Sequence, residues 1–380
     1  MSARIEPFRI RVPQADLDDL HDRLARTRWV GRLPGREWER GVPRDYLTDL
    51  AGYWRAGYDW RAHEAALNEL PQYTTEIDGQ RVHFAHVRSP EPDALPLVLT
   101  HGWPNSFVEF TKVVGPLADP ARHGGNPAHA FHVVVPSLPG FGFSDPPRGT
   151  GWTVTRVARM WAELMHRLGY DRYGTQGGDL GAYVAPAVAT VDPEHVVGVH
   201  VDGGLGFPTE HDVPQMTAED RAEYAEMQQW MQGGVDHHAI LAAAPQTFAY
   251  GWNDSPVGLL AWLMEKFKEF TPMADVPDQV IDRDHMLTNA SIYWFTGTAA
   301  SSSWPMYEGL DASGGFTWPK GQKLVPTGVY SGGSAMFRRL AERDNTIVHW
   351  PEGNPGNHFV AMEVPDAHVA DIRRFFALVR

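Results

Sequence analysis

The stretch Gly177-Gly178-Asp179-Leu180-Gly181 constrains this chain more than any other. It follows a short strand-like run, residues 171–176, and precedes an apolar helix-like run, residues 182–189. A strand that turns at once into a helix brings two backbones nearly into contact, so small residues are needed on both sides of the turn. Gly177 and Gly181 meet that need and leave Asp179 at the apex, where serine stands in the G-x-S-x-G nucleophile pattern. By itself G-x-D-x-G also fits a glycine-rich turn with a solvated aspartate. The surrounding elements have to decide between the two.

Around this turn the chain alternates. Two β-rich runs, 73–77 and 82–87, are joined by Asp78-Gly79, which predicts a hairpin. Residues 95–100, 131–136 and 196–201 are continuous apolar runs of the buried-strand kind, and 153–168 has helical periodicity. Strands alternating with helices predict an α/β fold with a mostly parallel sheet and helices on both faces. Before it, 16–24, the stretch after Pro43 and 60–70 have helical spacing, with Trp54 and Trp60 on apolar stripes that read as core. From about 205 to 318 the chain reads as helices, with Thr217 as a cap, and strand character returns at 323–330 and 346–350 before a final helix, 367–379. The expected division is an N-terminal extension over 1–88, a core over 89–204 and 319–380, and a helical lid over 205–318. Such a lid would cover the C-terminal edge of the sheet, where open α/β sheets bind ligands.

Composition excludes several functions. Lys+Arg 33 against Asp+Glu 47 gives a net charge of −14, with no basic stripe for nucleic acid or an anionic membrane. No cysteine is present, which removes disulfides, thiolate metal sites and a cysteine nucleophile. Residues 1–7 carry no apolar segment of the signal-peptide kind, and no run reaches the ~20 apolar residues of a membrane helix. The expectation is a cytoplasmic protein with a small-molecule substrate, with a homodimer as one possible assembly.

Two further motifs give the elbow partners. His101-Gly102-Trp103-Pro104 follows a buried strand, where a backbone N–H can join that of Leu180 to form an oxyanion hole. Gly356-Asn357-His358-Phe359 follows the last strand in a loop able to carry a histidine to the elbow. With these motifs the chain resembles the microsomal-type epoxide hydrolases, which have the α/β-hydrolase fold with an N-terminal extension. The resemblance includes Pro136-Ser137-Leu138-Pro139-Gly140-Phe141-Gly142-Phe143-Ser144, Asn253-Asp254-Ser255-Pro256, Tyr293-Trp294-Phe295-Thr296-Gly297-Thr298 and His358-Phe359-Val360-Ala361-Met362-Glu363. In overall look it is similar to actinobacterial members, including those of enediyne antibiotic assembly. The resemblance implies hydrolysis of an epoxide to a vicinal diol without cofactor or metal. It implies Asp179 as nucleophile, His358 as base, Trp103 and Leu180 as oxyanion donors, and Tyr307 as a lid proton donor.

The chain departs from that family at two places. The second lid tyrosine falls on His237, so His237, beside His238, would donate a proton or shape the pocket with Trp103. The family's triad acid falls on Ala335. Asp202, at the end of the strand after the nucleophile's helix, is the expected substitute, with Glu352 as another candidate. These departures keep two other functions open: a catalytically silent or weakened binding protein on the same fold, and another Asp-nucleophile hydrolase such as a dehalogenase.

Overall fold

The computed structural model describes residues 4–203, 205–231, 237–309 and 323–380. Its strands are β1 (Glu6–Phe8), β2 (Gln72–Ile77), β3 (Gln80–Val87), β4 (Leu95–Thr100), β5 (Phe131–Pro136), β6 (Tyr173–Gly177), β7 (Val196–Val201), β8 (Pro326–Val329) and β9 (Thr346–His349). They form one sheet in the order β1-β2-β3-β5-β4-β6-β7-β8-β9. The pairs from β1 to β5 are antiparallel, and those from β5 through β4 to β9 are parallel.

The apolar runs explain the parallel centre. Leu97, Val98 and Leu99 of β4 and Val133 and Val134 of β5 are wholly buried, because helices cover both faces. Helices Val154–Arg167 and Leu180–Val191 pack together, and helices Thr111–Ala118 and Pro365–Phe376 form another pair. The β2–β3 hairpin turns at Asp78 and Gly79, both at positive φ (53° and 71°), as a two-residue primed turn requires. Pairing of β3 with β5 makes the N-terminal extension part of the same sheet, not a unit ending at residue 88.

The described residues between 205 and 309 carry helices and no strand, in line with a lid. The segment 310–322, which was expected to complete it, lies outside the described residues. The lid is held by the extension. Trp54 Nε1 donates to Ser291 Oγ at 3.0 Å, and Tyr58 and Thr288 share a hydrogen bond at 2.9 Å. Tyr46 and Tyr53 donate to Asp278 and Asp284, each at 2.8 Å. The periodicity that marks Trp54 as core therefore points it at lid helix Arg283–Thr296.

Candidate active site

Asp179 sits between β6 and helix Leu180–Val191 with φ 53° and ψ −122°. That backbone is strained for any residue with a side chain, and glycines on both flanks make it possible. A Cβ on Gly181 would lie 1.9 Å from the carbonyl oxygen of Thr100, and one on Gly177 would lie 2.4 Å from that of Gly181. The same crowding acts from the opposite loop, where a Cβ on Gly102 would meet Asp179 Oδ1 at 2.3 Å.

The carboxylate has two unlike oxygens. Oδ1 accepts the backbone N–H of Trp103 at 2.8 Å, while Oδ2 lies 3.4 Å from His358 Nε2. The N–H of Leu180 also reaches the carboxylate. Burial pushes the Asp179 carboxyl up, but His358 and the amides of Trp103 and Leu180 outweigh it and hold the group below the usual carboxylate range. Asp179 is therefore ionised at neutral pH, with one oxygen in an oxyanion hole and the other facing a base.

The loop of His358 is held by Glu363, which the sequence reading includes in a motif without giving it a role. Its Oε2 accepts from the backbone N (3.0 Å) and Nδ2 (2.7 Å) of Asn357, and its Oε1 accepts from Phe359 N at 3.0 Å. The carboxylate thus fixes both neighbours of the histidine. The His358 ring stacks on Phe270, with centroids 4.4 Å apart, and meets Phe359 edge-on.

Asp202 does not orient His358, which corrects the sequence expectation. Its carboxylate turns to the far side of the sheet, where Oδ1 accepts from His368 Nε2 at 2.7 Å and Gln176 Nε2 at 2.8 Å. Its other oxygen lies so close to the elbow that a Cβ on Gly178 would meet it at 2.7 Å. Asp202 therefore braces the elbow from beneath. Glu352 is exposed. Ala335 begins helix Ala335–Asp344, and its neighbour Ser334 donates to Glu223 on lid helix Ala218–Met231 at 2.7 Å. Among the described residues, Asp179 is the carboxylate that lies within 4.0 Å of a His358 nitrogen.

On the lid side, His237 lies parallel to the Trp103 indole at 4.9 Å and 11°, beside His238 and edge-on to Phe270. Tyr307 is on helix Trp304–Glu308, which packs against helix His237–Ala243. Burial, with a smaller effect of Glu308, raises its phenol pKa, so it keeps its proton at neutral pH. Two other lid residues missed in the sequence hold the oxyanion loop. Asn289 Nδ2 donates to the Pro104 carbonyl at 2.8 Å, and Tyr293 Oη donates to that of Asn105 at 3.2 Å. His101 is also structural. Its Nε2 accepts from Leu138 N at 3.2 Å, so its proton is on Nδ1, and burial lowers its pKa to about 4.

Comparisons with known proteins agree with this geometry. Residues 5–110 match the family model for the epoxide hydrolase N terminus, and residues 96–247 match that for the alpha/beta hydrolase fold. A Stigmatella aurantiaca protein named "Putative epoxide hydrolase" is 42% identical, over 99% of this chain and 86% of its own length. Epoxide hydrolase 1 of Oryctolagus cuniculus is 33% identical, over 99% and 89%. The crystal structure of juvenile hormone epoxide hydrolase from Bombyx mori superposes with a TM-score of 0.87 at 25% identity, over 100% of this chain and 95% of that one. The Aspergillus niger epoxide hydrolase structure superposes with a TM-score of 0.82 at 29% identity, over 99% and 97%. Likeness at this identity along nearly the whole chain, with an acidic nucleophile at the elbow, places the chain in the microsomal-type epoxide hydrolase family.

Proposed function

We propose that this epoxide hydrolase opens its substrate through an ester on Asp179. The observation that carries this reading is the division of labour between the two oxygens of Asp179: Oδ1 accepts from Trp103 N–H, and Oδ2 faces His358. Oδ2 attacks an epoxide carbon, and the strained C–O bond breaks. The freed epoxide oxygen takes a proton from Tyr307, with His237 beside the pocket as a second donor or a wall. His358 then takes a proton from water as that water attacks Cγ of Asp179. The negative charge collects on Oδ1, where the amides of Trp103 and Leu180 stabilise it. Collapse expels the alkoxide, which takes the proton from His358 and leaves as the diol.

The walls suggest the substrate. Trp103, His237, Phe270 and Phe359 surround the reacting atoms with ring faces and edges, and Trp262 lies 5.8 Å from Trp103. This lining suits an epoxide that carries an aryl or extended apolar group. The same chemistry disfavours protease or lipase activity, since a carboxylate is a poor nucleophile toward an amide or ordinary ester.

The position of Asp202 bears on the second half of the cycle. Without a carboxylate on its other nitrogen, His358 gains less stabilisation as an imidazolium. Ester formation needs only an ionised Asp179, so hydrolysis of the ester is the slower half and the adduct accumulates. Intact-mass spectrometry after rapid quenching tests this with styrene oxide and bulkier aryl epoxides. The expected result is a one-substrate adduct on Asp179, long-lived in His358→Gln and absent in Asp179→Asn. If no epoxide gives an adduct in wild type or in His358→Gln, the protein is a binding protein on this fold.

A further inference from the structure

A third carboxyl group lies behind the nucleophile and has no part in the steps above. Glu109 is in the short 3-10 turn Phe107–Phe110, just after the oxyanion loop, with 5% of its surface exposed. Its carboxyl accepts the backbone N–H of Gly102 and meets the side chain of Asn105. Among the described residues no lysine, arginine or histidine nitrogen comes within 4.0 Å of it. The charged groups it faces are Asp179 and Asp202, both of its own sign when ionised. A buried carboxylate with no cation and two anions nearby is strongly disfavoured, whereas a carboxylic acid is tolerated if its O–H finds an acceptor.

That acceptor is present. Asn105 Nδ2 donates to Met362 Sδ at 3.3 Å, which leaves Oδ1 as a buried acceptor with no donor. Buried polar atoms are rarely left unpaired. A proton on Glu109 satisfies Asn105 Oδ1 and at the same time leaves the other Glu109 oxygen free to accept from Gly102. Burial first, then the charges of Asp202 and Asp179, hold the Glu109 carboxyl well above its ordinary range.

We infer that Glu109 is a neutral carboxylic acid that positions the oxyanion loop, donating its O–H to Asn105 Oδ1 and accepting the N–H of Gly102. The grip is applied at the residue that abuts Asp179 Oδ1 and precedes Trp103, whose N–H forms half of the hole. Keeping Glu109 neutral also spares Asp179 a second nearby anion, which would raise its pKa and reduce its ionised fraction. The inference rests on the ester mechanism for its kinetic consequence, but not for the protonation state itself.

Two measurements test it. The first is the infrared difference spectrum between wild type and Glu109→Gln at pH 7 to 9, which requires no turnover. The expected result is the loss of a protonated-carboxyl band that shifts in heavy water, and absence of that band overturns the inference. The second is turnover of an aryl epoxide. Glu109→Ala is expected to lower kcat roughly 10- to 100-fold with little change in KM, as a loop displaced by a fraction of an ångström does. Glu109→Gln, which offers the same neutral donor and acceptor, is expected to recover all but about threefold of that loss, because the hole itself remains intact. Glu109→Gln as impaired as Glu109→Ala overturns the inference, even if the alanine variant folds poorly. A wild type that gives the infrared band but no Asp179 adduct would instead sink the ester mechanism and leave the protonation state standing.

Discussion

Single side chains at this site are decided by their neighbours across the fold. Asp202 reads as a catalytic acid because it ends the strand after the nucleophile's helix. Its partner, His368, is 166 residues further on, in a helix that reads only as amphipathic. Nothing local in the sequence marks that pairing. Asp179, by contrast, is legible because its flanking glycines carry the constraint of the turn in the same short stretch. Glu109 is invisible for the opposite reason: one acid in an apolar run carries no periodicity, and its meaning depends on Asn105 and Gly102 coming close. The role of Asp202 is open to a direct test. Asp202→Asn is expected to leave the decay of the Asp179 ester unchanged. It should lower stability by roughly 2 kcal/mol through the hydrogen bonds it weakens to His368 and Gln176. Rapid-quench decay and chemical denaturation measure the two effects, and a prolonged ester lifetime would return Asp202 to the role of triad acid.

Among the elements, the strands with continuous apolar runs are the most legible. β4, β5 and β7 have the bounds read from the sequence, since burial on both faces leaves no polar position to blur their ends. The final loop is harder, because its shape is set by side chain to backbone bonds. Glu363 brackets His358 through Asn357 and Phe359, and this accounts for the His358-to-Glu363 spacing in the motif. Glu363→Gln replaces an acceptor with a donor on one side of that bracket. The expected outcome is a fall in kcat of about 10-fold, since small misplacements of a base are costly, with the melting temperature nearly unchanged. Unchanged turnover would show that the loop is held by the stacking of His358 on Phe270 instead.

The whole molecule carries a buried histidine population that sets its pH range. Burial lowers His83 to about 3 and His86, His101 and His285 to about 4. In the unfolded chain these groups titrate near 6.5. Above that pH both states hold them neutral and they do not affect stability. As pH falls below 6.5 the unfolded chain takes up protons that the folded chain refuses, so stability falls until the folded values near 4 are reached. Asp371, held below the ordinary carboxylate range by His200 and His349 against the effect of burial, adds its loss only below about pH 4. Calorimetry is therefore expected to give a flat melting temperature from pH 8 to about 7 and a steep decline from about pH 6.5. A plateau extending to pH 5 would show that these histidines become accessible. At this scale the domain division is the least legible feature, because pairing of β3 with β5 is long-range.

The unlike settings of the two Asp179 oxygens leave an isotopic record. The oxygen that attacks the epoxide leaves in the diol, and the oxygen of water takes its place on the His358 side. The oxygen in the hole never forms a bond to substrate, and its hydrogen bond to Trp103 opposes rotation of the carboxylate. In water enriched in oxygen-18, the first diol should leave unlabelled and later ones labelled. The Asp179 peptide should settle at one heavy atom, however many turnovers follow. Two heavy atoms would mean that the carboxylate turns over between cycles and that either oxygen can serve as nucleophile.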